Sequence, residues 1–186
     1  MSIRQSVLLA AAFALTLGTT ALAQQDDVRA EQRRLEIDTT AQSTLDELFA
    51  AQPTARDLYG KAAGYAVFTA TKAGFIVSGG SGTGVVVSKS SGKKTYMRMG
   101  MGGIGLGVGA QRYTLIILFE NETHLGKFVA GGWDSSATAE AAAGREGVAA
   151  RSSFINGTAL YQLTDKGLMA HADVTGTRFW VIDDLN

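Results

Sequence analysis

The spacing of apolar residues changes once along the chain, and the change divides it. Ile37, Ala41, Leu45, Leu48 and Phe49 recur at three- and four-residue steps, which puts them on one helix face that ends before Pro53. Thr54 is placed to cap a second short helix through Tyr59, with Gly60 near its end. From Tyr65 the spacing becomes that of strands, predicted over 65–69, 74–78, 85–88 and 95–101, with Ser90-Ser91-Gly92 at a hairpin tip. The glycine-rich run 79–84 reads as a connection; it lacks the Gly-Lys-Ser/Thr ending of a phosphate loop.

The stretch 100–112 alternates most strongly. Ile104, Leu106, Val108 and Ala110 fall on one face of a strand, and Gly103, Gly105, Gly107 and Gly109 leave the other face bare. Glycine at that density marks a close approach by a second sheet, a helix or a ligand. Met97, Met99 and Met101 occupy the opposite phase, so a bulge or tight turn is expected at Gly102-Gly103. Gly100, Gly102 and Gly105 match the dinucleotide-binding spacing, but the strand pattern continues past them into 113–119 and no helix opens on the last glycine. The nucleotide reading is therefore rejected.

Residues 113–119 are apolar on both faces apart from Thr114, as in a strand covered on both sides at the sheet's centre. A helix is expected over 121–130, with Leu125, Phe128 and Val129 on one side, and another short one over 137–143. Strands follow at 159–163 and 168–175, joined as a hairpin by the turn Asp165-Lys166-Gly167, and at 178–182. The fold class expected is α+β: a glycine-rich, mainly antiparallel sheet closing into a barrel or sandwich, with N-terminal helices and one or two short helices packed on it.

Composition narrows the function. The first residues carry Arg4, an apolar run over 7–17 and small residues at Ala21 and Ala23, the pattern of a secretory signal peptide cut after Ala23. Residues 24–186 then form one domain, a helical segment over 24–61 followed by a β-rich core over 64–182, in a periplasmic or secreted protein. The chain has no cysteine, which excludes disulfides, thiolate metal sites and a lipoprotein anchor. Seventeen basic residues balance seventeen acidic ones, without the basic excess of a nucleic-acid binder.

Reactive groups are sparse. His171 and Asp173 alternate onto one strand face and read as an exposed polar pair, and His124 lies among Glu120 and Glu122. Two histidines without cysteine group no metal ligands, so no enzyme, metal or cofactor is expected. Cations beside the glycine-rich strands are the better candidates: Lys72, next to Phe75, Arg98 and Arg112. A guanidinium or ammonium close to bare backbone suits a phosphate or carboxylate head group. Arg33 and Arg34 lie on the polar part of the first helical segment, among acidic residues.

Several segments together carry a family likeness. Gly64-Tyr65-Ala66-Val67-Phe68, Lys72-Ala73-Gly74-Phe75, the run 79–84, the alternating Gly103 to Gly109 strand with Ala110-Gln111, the apolar strand ending Leu118-Phe119 and Lys166-Gly167-Leu168 resemble the SYLF (Ysc84) domain, over roughly Leu45 to Thr175. The resemblance implies a lipid-binding module. Eukaryotic relatives bind phosphoinositides, partly through an amphipathic N-terminal helix, and some bind actin; bacterial relatives are mostly exported. The expectation is a non-enzymatic, peripheral binder of phospholipid, with Lys72, Phe75, Arg98, Arg112, Arg33 and Arg34 as contacts. The alternative is an envelope scaffold whose glycine face docks a partner protein or a second copy.

Overall fold

The computed structural model of the chain describes residues 3–74, 77–104, 109–131, 153–164, 167–169 and 176–186. Helix α1 (Ile3–Ala51) is longer than the apolar spacing predicts, running unbroken through the charged segment before Ile37. That segment is held by pairs one turn apart, Arg29 with Asp26 at 3.4 Å and Arg34 with Glu31 at 3.8 Å. The apolar face is the expected one, with Ala41, Leu45 and Leu48 buried. Helix α2 (Pro53–Lys61) opens on the proline itself, whose missing N–H is harmless in a first turn, and Gln52 rather than Thr54 takes the cap position.

Among the described residues, seven antiparallel strands form one sheet: β1 (Gly64–Gly74), β2 (Val77–Ser88), β3 (Lys94–Ile104), β4 (Gly109–Phe119), β5 (Thr158–Thr164), β6 (Gly167–Met169) and β7 (Thr177–Val181), in the order β6-β5-β4-β1-β2-β3-β7. β1 is the central strand, not β4, although Leu115 to Phe119 are buried on both faces as predicted. Helix α3 (Glu122–Val129) follows β4, with Asn121 Oδ1 accepting from the His124 N–H at 3.1 Å. A 3₁₀ turn (Asp183–Leu185) comes after β7.

Each face of the sheet has its own core. On the first face, α1, α2 and the 3₁₀ turn cover Val67, Val85, Ile116, Leu118 and Tyr161. On the second, α3 covers Phe68, Met97, Met99, Leu115 and Ile117. The ring of Phe128 meets those of Phe119 at 5.1 Å and Phe179 at 4.8 Å. Phe68 on β1 and Phe179 on β7 lie three strand spacings apart, about 14 Å in a flat sheet, yet their rings are 4.9 Å apart. The sheet is therefore strongly curled.

Of the two expected forms, barrel or sandwich, it does not take the barrel. Among the described residues no ladder joins β6 to β7, and the α3 side chains occupy the concave side where closure would bring the two edges together.

Glycine placement accounts for the other corrections. The run 79–84 is the interior of β2, not a connection: Gly80, Gly82 and Gly84 pair with Lys72, Ala70 and Phe68. A Cβ at Gly84 would strike the Val67 carbonyl and the Phe68 ring. The bare face lets side chains of neighbouring strands lie across β2, and the Tyr113 hydroxyl reaches the Met101 sulfur at 2.8 Å. The strand expected over 74–78 splits between the end of β1 and the start of β2. The expected bulge at Gly102-Gly103 is absent, because Gly102 pairs with Gly79 and Gly103 with Ser78 in an unbroken ladder. The predicted helix over 137–143, most of the strand expected over 168–175, and the pair His171 and Asp173 lie outside the described residues.

Candidate functional site

Along the first face the sheet's composition changes partway down the strands. Near one end Val67 and Val85 give α1 an apolar seat. Two residues further along β1 the same face carries Thr69 and then Thr71, paired across β2 with Thr83 and Ser81. These short hydroxyl side chains do not fill the space beneath the helix. A groove of about 420 Å³ remains between α1 and the sheet, bounded by Arg33, Glu36, Ile37 and Thr40 of the helix and by Thr69, Thr71, Thr83 and Arg112 of the strands.

A second, smaller recess of about 170 Å³ shares Thr69, Thr71 and Thr83 with the first and adds Ser81, Gly82 and Arg98. The two are lobes of one site with a common hydroxyl floor. Register fixes the arginines on either side of it: Arg112 on β4 pairs with Thr71, and Arg98 on β3 pairs with Thr83. Among the described residues, three guanidiniums thus border the site against one carboxylate, that of Glu36. All three are exposed, and among the described residues none has a hydrogen-bond or ion-pair partner. A guanidinium in that condition presents its fork of N–H donors to an incoming oxyanion, and the threonine and serine hydroxyls supply further donors.

The structure brings together Arg33, Arg98 and Arg112 of the predicted contacts and separates the others. Lys72 pairs with Gly80 and Gln111 in the opposite strand phase, so it belongs to the second face. Arg34 donates from Nε to the Leu185 carbonyl at 2.9 Å and ties α1 to the 3₁₀ turn. Phe75, Gly105 and Gly107 lie outside the described residues, while Gly103 and Gly109 are paired through their backbones with Ser78 and Gly74. Sequence reading missed Thr69, Thr71, Ser81, Thr83, Glu36 and Thr40. The signal was available for two of them, because Gly-Ser-Gly-Thr-Gly over 80–84 alternates hydroxyl and glycine as strictly as any strand.

His124 contributes to the fold: its ring packs on Gly157, which sits at φ +74, and its Nδ1 lies 2.9 Å from Asn121 Oδ1. Among the described residues no group of three or more His, Asp or Glu side chains is arranged to hold a metal ion. No helix among them is long and apolar enough to cross a membrane.

Fold and groove together define an α+β protein with a cationic, hydroxyl-floored site between one long helix and one curled sheet. No family model matches the chain. It is similar to a protein of Aeromonas veronii named Beta cell expansion factor A, with 36% identity over 156 residues, 84% of this chain and 60% of that one. The chain therefore spans about three fifths of that relative's length.

Proposed function

We propose that this chain is a non-enzymatic binder of anionic phospholipid in the cell envelope, and that the head group occupies the groove under α1. The observation that carries the reading is the convergence of Arg33, Arg98 and Arg112 on a floor of four hydroxyls. The likeness of the 64–68, 72–75 and 79–84 segments to the SYLF domain supports it independently of the geometry. Arginine forks take the phosphate oxygens, the hydroxyls of Thr69, Thr71, Ser81 and Thr83 bond the remaining head-group oxygens, and Glu36 disfavours a second negative group beside the helix.

Co-sedimentation with vesicles tests this. The chain is recovered with phosphatidylcholine vesicles containing phosphatidylglycerol and not with phosphatidylcholine alone. Each arginine near the surface contributes on the order of 1 kcal/mol, so Arg98→Gln with Arg112→Gln lowers binding by about 30-fold. Rising salt weakens it as well. Equal recovery with both vesicle types, unaffected by the double substitution, refutes the reading.

A further inference from the structure

We propose that the β7 edge beside the groove is the side of the molecule that meets the bilayer, with Trp180 as its interfacial anchor. This rests on the lipid reading above and adds an orientation to it. Among the described residues the smaller lobe is bounded by β1, β2 and β3 and by none from α1, and its Arg98 lies on the strand next to β7. Arg98 of that lobe pairs directly with Trp180 of β7. A head group held by Arg98 would have its acyl chains leave across this edge.

The edge has the chemistry of an interface. β7 alternates: Phe179 turns inward onto Phe68 and Phe128, whereas Arg178 and Trp180 stand on the other face, both exposed. Trp180 is 45% exposed, the only exposed large aromatic among the described residues. Its indole rests on the bare backbone of Gly100, where a Cβ would come within 2.7 Å of the ring. The outer part of the ring is thus covered by Gly100 while much of the indole stays exposed. Indoles concentrate at the head-group level of membranes because an apolar body and a polar N–H suit that layer, and arginines beside them reach the phosphates. Arg98 and Arg178 flank Trp180 across the β3–β7 ladder, so charge and apolar surface present themselves together.

Tryptophan fluorescence tests the orientation, since the chain has two tryptophans, Trp133 and Trp180. In Trp133→Phe, phosphatidylglycerol-containing vesicles shift the emission to the blue, and brominated acyl chains quench it. In the reciprocal variant Trp180→Phe, which keeps an aromatic cover on Gly100, the vesicle-dependent change seen in the unsubstituted chain is lost. Trp180→Ala lowers partitioning severalfold.

Three results overturn the orientation. Co-sedimentation with unchanged Trp180 emission and no quenching leaves the lipid reading standing and moves the contact to another face. A blue shift that grows with protein concentration without vesicles assigns the edge to a second copy of the chain. No co-sedimentation at all removes both proposals.

Discussion

The ring of Phe68 occupies the space that a side chain at Gly84 would need. A Cβ there would lie 2.6 Å from Phe68 Cδ1 and 2.8 Å from its Cα, as well as against the Val67 carbonyl, and backbone atoms cannot move aside as a flexible side chain can. Gly84→Ala therefore forces the β1–β2 ladder apart at a buried position and costs about 1–3 kcal/mol in urea unfolding. Gly102→Ala is the comparison: nothing lies within 4 Å of its Cβ position. Removing chain freedom there leaves stability unchanged or raises it by up to about 1 kcal/mol. Equal losses at the two positions would show that the close approach has no energetic weight.

Arg33 and Arg34 are neighbours with separable roles. Arg33 borders the groove, whereas Arg34 holds the Leu185 carbonyl from a half-buried position. Arg34→Gln is expected to lower stability by about 1–2 kcal/mol, the range for a hydrogen bond to a charged donor, and to leave vesicle binding unchanged. Arg33→Gln does the reverse, with stability intact and binding reduced about fivefold. Lys72→Gln, on the opposite face, leaves binding unchanged. Unfolding midpoints and co-sedimentation on the same three variants decide the matter.

The class of the fold was legible because its signals are local. The helix spacing of Ala41, Leu45 and Leu48, the double-sided apolar run Leu115 to Phe119, and Asn121 before α3 each state their structure within a few residues. Alternating glycine was harder, since Gly80, Gly82 and Gly84 look like a flexible connection unless Ser81 and Thr83 are read as the other face of a strand. Closure was not legible at all. Whether the edges meet is a long-range packing outcome with no local pattern. The site was half legible for the same reason. Arg98 and Arg112 stood out by charge, but only register separates their face from that of Lys72.

Three of the five tyrosines have phenols pushed up to about 12. Burial is the main cause for Tyr65, Tyr96 and Tyr161; the Asp38 carboxylate adds its charge for Tyr65 and Tyr96, and accepts a hydrogen bond from the Tyr96 hydroxyl at 3.1 Å. A raised folded value favours the neutral phenol, so its stabilising contribution is complete below the unfolded value of 10.0 and is lost as pH rises toward about 12. Unfolding free energy is therefore expected to fall between about pH 10 and pH 12 through these groups. In a near-ultraviolet titration their phenolate absorbance develops late. Tyr96→Phe makes the alkaline decline shallower; an unchanged slope would place the ionising groups elsewhere.

The side chain of Asn186 behaves as one more residue of the sheet. Its Oδ1 accepts from the Tyr96 N–H at 2.9 Å, and its Nδ2 donates to the Tyr96 carbonyl at 2.9 Å and to the Ile182 carbonyl at 2.6 Å. The β3–β7 ladder ends with Met97 opposite Val181; beyond it the Ile182 N–H donates to the Tyr96 carbonyl at 3.0 Å, and the Asn186 amide completes the pairing of Tyr96 by taking up its N–H. It also anchors the turn that buries Leu185 against α1. Asn186→Ala leaves the Tyr96 N–H without that acceptor and is expected to cost about 1–3 kcal/mol. Asn186→Asp keeps an acceptor for the N–H but turns a carboxylate oxygen toward two carbonyls, so it recovers none of the loss at neutral pH. Urea unfolding of the two variants separates these cases: an aspartate variant as stable as the unsubstituted chain would mean that the Nδ2 bonds contribute nothing.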